Sequence, residues 1–387
     1  MSTIETGTDS VIKDLGLQIA QVDVVLMGAI RRRMDLSAQV VARKVELGHP
    51  RIFNPDREDE RIERVKEWAR KHGINANFAA ALLYLIIDES CKVQTDLLQM
   101  KGGDLVLPSR GDPRERHAAL RPNLIELTRC VAESYEESYA SAYFATRAHD
   151  THERAHIRGL FAATSDRSLL LDLGCASGRI GRSLAGSFAQ VTGYDLSEDM
   201  IRVATENAHA EALENTVFRV ADLENGIPER DASVSFAVMN QGTASDLLDL
   251  PGFMKELHRV LKPGAKFLLS FYNKDALLYK WGFMPLDVGL AAMVNVHGHC
   301  LDVRVHDQLF SVFARAYGAS EVRKLITTSG LVVDEIFAYP TIASILPTAL
   351  LDGPEQEEVQ AAVSTLDEQL TAETYGAYLT VLGTKRP

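Results

Sequence analysis

Six residues in the N-terminal quarter have the chemistry to hold a small dianion. Arg33 and Lys44 are 11 residues apart, close to three helical turns, so on a helix they share one face. That face is otherwise mainly apolar: Val22, Leu26, Ile30, Arg33, Ser37, Val40, Lys44. A cation on an apolar stripe is costly unless an anion meets it. Arg57 and Glu58 open a second helical segment after Pro55. In a third, Phe78, Leu82, Leu85 and Ile86 are expected on the inner face, continued by Ser90 and Gln94, which lie one turn apart above Ile86. Two cations, an Arg–Glu pair, a hydroxyl and an amide aimed at one interior suit a small dicarboxylate with an ether or hydroxyl group. Snorkelling, or ion pairing with the chain's own acids, is the competing account of the same spacing.

A second constellation begins at residue 168. Ser168 to Leu173 is an apolar strand that enters the turn Gly174-Cys175-Ala176-Ser177-Gly178, and a helix starts near Arg179. The next strand ends in Asp195, 21 residues after Gly174. A Gly-rich turn lets a ligand approach backbone, and an acid closing the next strand can take two ribose hydroxyls. The pattern is Asp172-x-Gly174-x-Ala176-x-Gly178 rather than G-x-G-x-x-G. An acid ahead of the first glycine repels a pyrophosphate but can hold an amino group. Val217 to Asp222 reads as a third strand ending in an acid, and Val234 to Met239 as a fourth, followed by Asn240-Gln241.

These residues need two kinds of scaffold. Ile12, Leu15, Ile19, Val22, Leu26 and Ile30 recur at spacings of three and four, with no Pro between Val11 and Gly48. A helix of about 35 residues spans roughly 50 Å, too long to be covered by its own small domain, so it requires a partner chain or a second long helix. From residue 166 onward strand-like and helix-like runs alternate, which argues for a mainly parallel sheet. We therefore expect a frayed tail over 1–10, a helical domain over 11–101, a linker over 102–120 and an α/β domain over 121–387.

Composition narrows the classes. Acidic residues outnumber basic ones, 53 to 41, for a net charge of −12 over 387 residues. That balance argues against nucleic acid and anionic membranes as partners. No apolar run reaches 18 residues, and Met1–Ser10 shows neither a basic nor an apolar leader segment, so a cytoplasmic location is expected. Cys91, Cys130, Cys175 and Cys300 are scattered and read as small buried hydrophobes, with no metal site expected.

Taken together, Leu26-x3-Ile30-x2-Arg33, Lys44, Asp56-Arg57-Glu58 and Leu85-Ile86-Ile87-Asp88-Glu89-Ser90-x3-Gln94 resemble the all-helical chorismate mutase family over about 90 residues. The resemblance implies three helices per chain intertwined as a homodimer. It implies that Arg33 binds a substrate carboxylate, that Lys44 and Gln94 meet the breaking ether oxygen, and that Arg57, Glu58 and Ser90 contact other polar groups. Cations there would stabilise charge building on the ether oxygen. Gly16 stands where the family usually has an Arg, and Lys13 lies about one turn earlier.

Residues from about 168 onward resemble class I S-adenosylmethionine-dependent methyltransferases. The resemblance adds Leu257 to Ala265, the strand Lys266–Phe271, and the strand pair Leu331–Ala338 and Tyr378–Gly383. It implies a Rossmann-like seven-stranded fold. S-adenosylmethionine would be held by Asp172, Gly174, Ala176, Gly178, Asp195, Leu196, Asp222, Leu223 and Asn240, with S-adenosylhomocysteine as product. Tyr135, Tyr139 and Tyr143 recur every four residues, as on one helix face, in the position of a leading lid helix. An insertion over 274–320 carries Trp281, His297, His299 and His306 where the acceptor pocket is expected. The whole reads as a multidomain α and α/β enzyme. It would convert chorismate to prephenate and methylate a small shikimate-derived acid. Two alternatives stand beside this. The second domain could use prephenate as carboxyl donor to make carboxy-S-adenosylmethionine, or the first could only dimerise the chain or sense chorismate.

Overall fold

The computed structural model describes residues 5–46, 55–100, 113–280, 293–295, 299–305, 308–353 and 356–386. It divides into two compact units. Among the described residues the first consists of helices α1 (Glu5–Glu46), α2 (Pro55–Lys71) and α3 (Ala76–Met100). Helix α1 is described from Glu5 onward, within the segment expected to fray. The unit closes on Val41, Ile62, Ala69, Ala80 and Ile87, all buried. Ala80, Ile87 and Gln94 follow a seven-residue period on α3. Phe78 and Leu85, expected to face inward, are 61% and 37% exposed, because they point about 160° away from that row. The stripe on α1 is bare in the single chain: Ile12, Leu15, Ile19 and Val22 are each more than half exposed.

The second unit opens with α4 (Pro113–Val131), α5 (Tyr135–Ala140) and α6 (Phe144–Ala162). The expected linker over 102–120 is thus already helical from Pro113, and proline suits the first helical turn. The three-tyrosine stripe is interrupted. Helix α5 ends at Ala140, and Tyr143 is the extended residue that precedes α6, so Tyr143 leaves the face shared by Tyr135 and Tyr139. Cys175 and Cys300 are buried as expected, but Cys130 is exposed on α4.

The α/β core then follows: β1 (Leu169–Leu173), α7 (Arg179–Leu184), β2 (Gln190–Asp195), α8 (Glu198–Ala210), β3 (Thr216–Val220), β4 (Val234–Met239), α9 (Leu250–Val260) and β5 (Leu261–Tyr272). After these come α10 (Leu277–Lys280), β6 (Met293–Asn295), β7 (Cys300–Val305), β8 (Gln308–Phe313), α11 (Ala319–Thr328), β9 (Leu331–Tyr339), α12 (Thr348–Leu351), α13 (Glu357–Leu370) and β10 (Tyr378–Lys385). Among the described residues the main sheet has seven strands in the order β3-β2-β1-β4-β5-β10-β9. Five are parallel, and β10 runs antiparallel between β5 and β9. Strands β6, β7 and β8 form a separate antiparallel sheet inside the expected insertion.

The reason for the parallel core lies in β1. All five residues of Leu169–Leu173 are buried, because helices cover both faces of the sheet. On one face Leu171 and Leu173 pack with Met239, Leu257 and Phe267; on the other Leu170 packs with Ile157, Ile180 and Phe236. Two helix starts are locally encoded. Ser197 accepts the N–H of Met200 at 3.3 Å to cap α8, and Asp249 accepts that of Gly252 at 3.0 Å to cap α9. This order leaves the carboxyl ends of β1, β2, β3 and β4 side by side, the edge at which open α/β sheets bind ligands.

Candidate functional sites

In the helical unit, α1 presents Arg33 to α3. Its Nη1 donates to the carbonyl of Ile86 at 2.8 Å and also meets the hydroxyl of Ser90. Ser90 and Gln94 are buried, 3% and 7% exposed. The Gln94 Nε2 donates to the Ser90 carbonyl at 3.3 Å, while its Oε1 is buried with no partner. A buried amide oxygen left unpaired costs about 1–3 kcal/mol, which a ligand donor would recover. Three of the six expected residues are therefore brought together. The side chains of Lys44, Arg57 and Glu58 lie outside the described residues.

In the α/β unit a cleft of about 1070 Å³, counting its open mouth, lies at the carboxyl edge of the sheet. Six of the nine expected cofactor residues line it: Gly174, Ala176, Asp195, Leu196, Asp222 and Leu223. The Gly174–Gly178 turn is held from two sides. The Ala176 N–H donates to Asp195 Oδ2 at 2.8 Å, and Gly174 N–H donates to the carbonyl of Tyr194 at 2.8 Å. Gly174 has φ +67°, and a Cβ there would stand 2.5 Å from Thr243 Cγ2, so glycine is required on both counts. Asp195 also accepts the Ser197 N–H at 2.9 Å; burial pushes its carboxyl up from the ordinary value, against those hydrogen bonds.

Asp172, Gly178 and Asn240 stand behind the cleft rather than in its lining. Asp172 is buried inside β1. Its Oδ2 accepts the Gly181 N–H at 2.8 Å and ties the strand to α7, and its Oδ1 has no partner. Burial raises its carboxyl to about 7. Gly178 takes the left-handed conformation that starts α7. The Asn240 carbonyl accepts both the Thr243 N–H at 3.2 Å and its hydroxyl at 2.7 Å, fixing the loop after β4.

Several residues of this edge were not expected from the sequence. From α4, His117 and Arg121 line the cleft. Arg121 pairs with Asp222, and His117 Nε2 lies 3.1 Å from Glu224 Oε1. Asp246 lines it from the loop after β4. Its Oδ1 is buried and unpaired, and burial beside Asp195 holds its carboxyl well above the usual range. From α6, Glu153 accepts the backbone N–H of Gln241 at 2.9 Å, and Asp150 accepts the Gln241 side-chain amide at 3.1 Å. Burial raises Glu153 to about 7 and drives His149, stacked on Tyr378, down to about 3. Asp150 also takes both Nη atoms of Arg179, whose guanidinium lies 3.9 Å over the Tyr139 ring. The signal for these was weak because α4 fell in the expected linker, and the α6 acids make sense only against β4 in space.

Of the expected acceptor-side residues, Tyr139 is tied to Arg179, while Tyr143 is exposed outside the cleft lining. His299 stands before β7 with φ +49° and does not line the cleft. His297 and His306, with Trp281, lie outside the described residues.

The cleft fits S-adenosylmethionine by its own features. It has a glycine cradle that a Cβ would fill, an acid at the end of β2, a second acid after β3, and apolar walls from Leu223, Leu247, Met200 and Phe313. The unpaired Asp172 Oδ1 behind the turn is an acceptor for an ammonium group, directly or through water.

Comparison with known proteins finds a family for a segment of each unit. The family "Chorismate mutase type II" matches residues 16–95, and "Methyltransferase domain" matches residues 165–294. The chain is 35% identical over 134 residues to the 2-phytyl-1,4-naphtoquinone methyltransferase of Nostoc sp., covering 33% of this chain and 58% of that one. It is 31% identical over 110 residues to the ubiquinone biosynthesis O-methyltransferase of Coxiella burnetii, covering 28% and 46%. It thus spans about half the length of these curated relatives. A SAM-dependent methyltransferase of Methanosarcina mazei superposes with a TM-score of 0.41 at 19% identity, covering 59% of this chain and 97% of that one. One polypeptide here carries a chorismate mutase type II domain and a methyltransferase domain.

Proposed function

We propose that this protein is a bifunctional enzyme that rearranges chorismate to prephenate in its helical unit and methylates a small shikimate-derived acid in its α/β unit. The observation that carries this reading is that each unit keeps a buried, unpaired oxygen at its own site: Gln94 Oε1 in one and Asp172 Oδ1 in the other. Each is a group that a bound polar ligand would satisfy.

In the helical unit, Arg33 and Ser90 fix one end of the substrate. The second N–H of Gln94 Nε2, the one not given to the Ser90 carbonyl, and Lys44 would stabilise the negative charge that builds on the ether oxygen as its bond to carbon lengthens. Holding the substrate in its compact conformer supplies the rest of the acceleration. The bare face of α1, through Ile12, Leu15, Ile19 and Val22, supports a homodimer in which a second copy covers that face.

In the α/β unit, S-adenosylmethionine would bring an electrophilic methyl group on a sulfonium. Asp195 would accept two ribose hydroxyls, Asp222 the adenine amino group and Asp172 the amino end. Gln241, held by Asp150 and Glu153, would line the acceptor side. The cofactor's net positive charge suits a cleft with four acids in its wall, Asp195, Asp222, Glu224 and Asp246.

Gly16 supports a second reading, in which the helical unit binds chorismate without converting it. The test is chorismate consumption by the purified full chain, first without and then with S-adenosylmethionine, with products read by mass. Prephenate without cofactor supports the mutase. A methylated acid in the second arm supports methyl transfer, whereas a mass gain on S-adenosylmethionine itself would replace it with carboxyl transfer. Unchanged chorismate in both arms, with chorismate still bound, selects the second reading.

A further inference from the structure

Of the four acids in the cleft wall, three accept hydrogen bonds from their surroundings. Asp195 accepts the N–H groups of Ala176 and Ser197. Asp222 accepts the Glu224 N–H at 3.2 Å and the Asn225 amide at 2.9 Å, and Glu224 accepts the Leu248 N–H at 2.6 Å. The fourth, Asp246, differs: its Oδ1 is buried and has no partner among the described residues. An unpaired buried oxygen works against folding, which points to a functional rather than a structural role.

The backbone around Asp246 is firmly held. Asp246 closes a single 3₁₀ turn, Ala244–Asp246, that follows β4. The Gly242 N–H donates to Ser270 Oγ at 3.0 Å, and the Tyr272 N–H donates to Ser245 Oγ at 2.8 Å, so the turn is tied to β5. The Arg315 N–H donates to the Ser245 carbonyl at 2.8 Å, and the Asp246 N–H to the Thr243 carbonyl at 3.1 Å. Ala244 and Ser245 are fully buried. Thr243 Cγ2 occupies the space that a Cβ on Gly174 would need, so this turn abuts the glycine cradle. A carboxyl group on so fixed a turn is preorganised.

The surroundings leave that carboxyl without a counter-charge. Leu223, Met239, Leu247 and Phe313 make the nearby wall apolar. Burial first, and the like charge of Asp195 second, hold the carboxyl well above its usual range. The other titratable groups of the wall are engaged elsewhere. Arg121 pairs with Asp222, His117 lies 3.1 Å from Glu224, and the Tyr135 hydroxyl lies 3.4 Å from that of Tyr139. A carboxylate made more basic and given no donor is suited to take a proton near neutral pH.

We propose that Asp246 is the catalytic base of the α/β unit and that the methyl acceptor presents a hydroxyl group to it. This rests on the reading that the cleft takes S-adenosylmethionine. A carboxylate turned toward Asp246 would set two negative charges against an apolar wall, and an ammonium has no free lone pair to be methylated. A hydroxyl donates a hydrogen bond to the carboxylate and has a proton to give up. In the transfer the acceptor O–H bond breaks toward Asp246 and the acceptor oxygen forms a bond to the methyl carbon. The methyl–sulfur bond breaks with its electron pair left on sulfur, and the proton then leaves the carboxyl for water.

Asp246→Asn tests this in the full-length protein. Wild type and variant receive chorismate and S-adenosylmethionine with a labelled methyl group, and both are titrated with S-adenosylhomocysteine by calorimetry. Transfer should fall on the order of 100-fold or more in the variant, the scale of general-base catalysis. S-adenosylhomocysteine affinity should stay within about threefold. Wild-type transfer should level off above neutral pH. The variant's should keep climbing about tenfold per pH unit, because only acceptor already ionised by water reacts. A folded carboxyl held above its ordinary value contributes stability at low pH that is lost as pH rises. The variant should therefore unfold at a higher urea concentration than wild type at pH 8, with the difference shrinking toward pH 4. The labelled product should be a methyl ether, resistant to mild alkali. A label on carboxylate, carbon or nitrogen overturns the proposal, as does a loss of transfer below tenfold. A fall in S-adenosylhomocysteine affinity that matches the fall in transfer makes Asp246 a cofactor contact instead. A variant that is less stable than wild type at pH 8, or does not fold, makes Asp246 structural. A wild-type protein that binds S-adenosylhomocysteine but labels nothing removes the chorismate-derived acceptor and the base with it, and one that binds neither form of the cofactor fails the cofactor reading itself.

Discussion

The backbone N–H of Ala176 donates to Asp195 Oδ2 at 2.8 Å, so the acid that closes β2 also fixes the glycine turn that follows β1. One side chain thereby sets the shape of the cradle and offers the proposed ribose contact. Both jobs need a carboxylate that burial has already made expensive to ionise.

Asp195→Asn should separate these jobs. The amide oxygen can still accept one loop N–H, so the fold should survive with a loss of about 1 kcal/mol. The second ribose hydroxyl loses its acceptor. S-adenosylmethionine affinity should fall roughly 30- to 100-fold by calorimetry, consistent with loss of charge-assisted hydrogen bonding. An affinity within threefold of wild type would remove Asp195 from the site.

Glu153 makes a prediction about pH. Its carboxyl is raised to about 7 in the folded chain from an ordinary 4.5, chiefly by burial. The folded state therefore binds the proton more tightly than the unfolded state, and the contribution to stability is full below about 4.5 and lost as pH rises through 7. Glu153→Gln keeps an acceptor for the Gln241 N–H and has no proton to lose. Its stability relative to wild type should rise by on the order of 2 kcal/mol between pH 5 and pH 8, read by denaturant unfolding. A constant difference across that range would contradict the assignment.

The helical site can be probed without the other. Gln94→Ala should lower the turnover of chorismate 100-fold or more, the scale for losing one preorganised donor to a developing negative charge. Cofactor affinity in the same protein should stay within twofold. Gly16 offers the reverse experiment: a Cβ built there meets nothing within 4 Å, so Gly16→Arg is sterically allowed. A rise in mutase rate in that variant would identify the missing cation as the limiting feature, and an unchanged rate would discount it.

Val22 sits mid-stripe on α1 and is 65% exposed in the single chain. If a second copy covers this face, Val22→Glu buries a charge at the contact and should convert a dimer to a monomer by light scattering. The midpoint for unfolding of the helical unit should become lower and concentration-independent. A wild-type protein that is already monomeric at micromolar concentration would refute the dimer.

The sequence by itself determined what depends on neighbours along the chain. Spacings of three and four set α1, the apolar run at Leu169–Leu173 set a buried parallel strand, and the Gly174–Gly178 turn with Asp195 marked the cradle. Ser90 and Gln94 were legible because one helical turn separates them. Tertiary structure alone decided which polar groups meet. Arg33 finds Ser90 across 57 residues, Arg121 finds Asp222 across 101, and Glu153 finds Gln241 across 88. It also decided that Phe78 and Leu85 turn outward and that Tyr143 leaves its stripe. The physical reason is that helix and strand periodicity fixes a side chain's face, whereas its partner is fixed by which faces the packed core brings together.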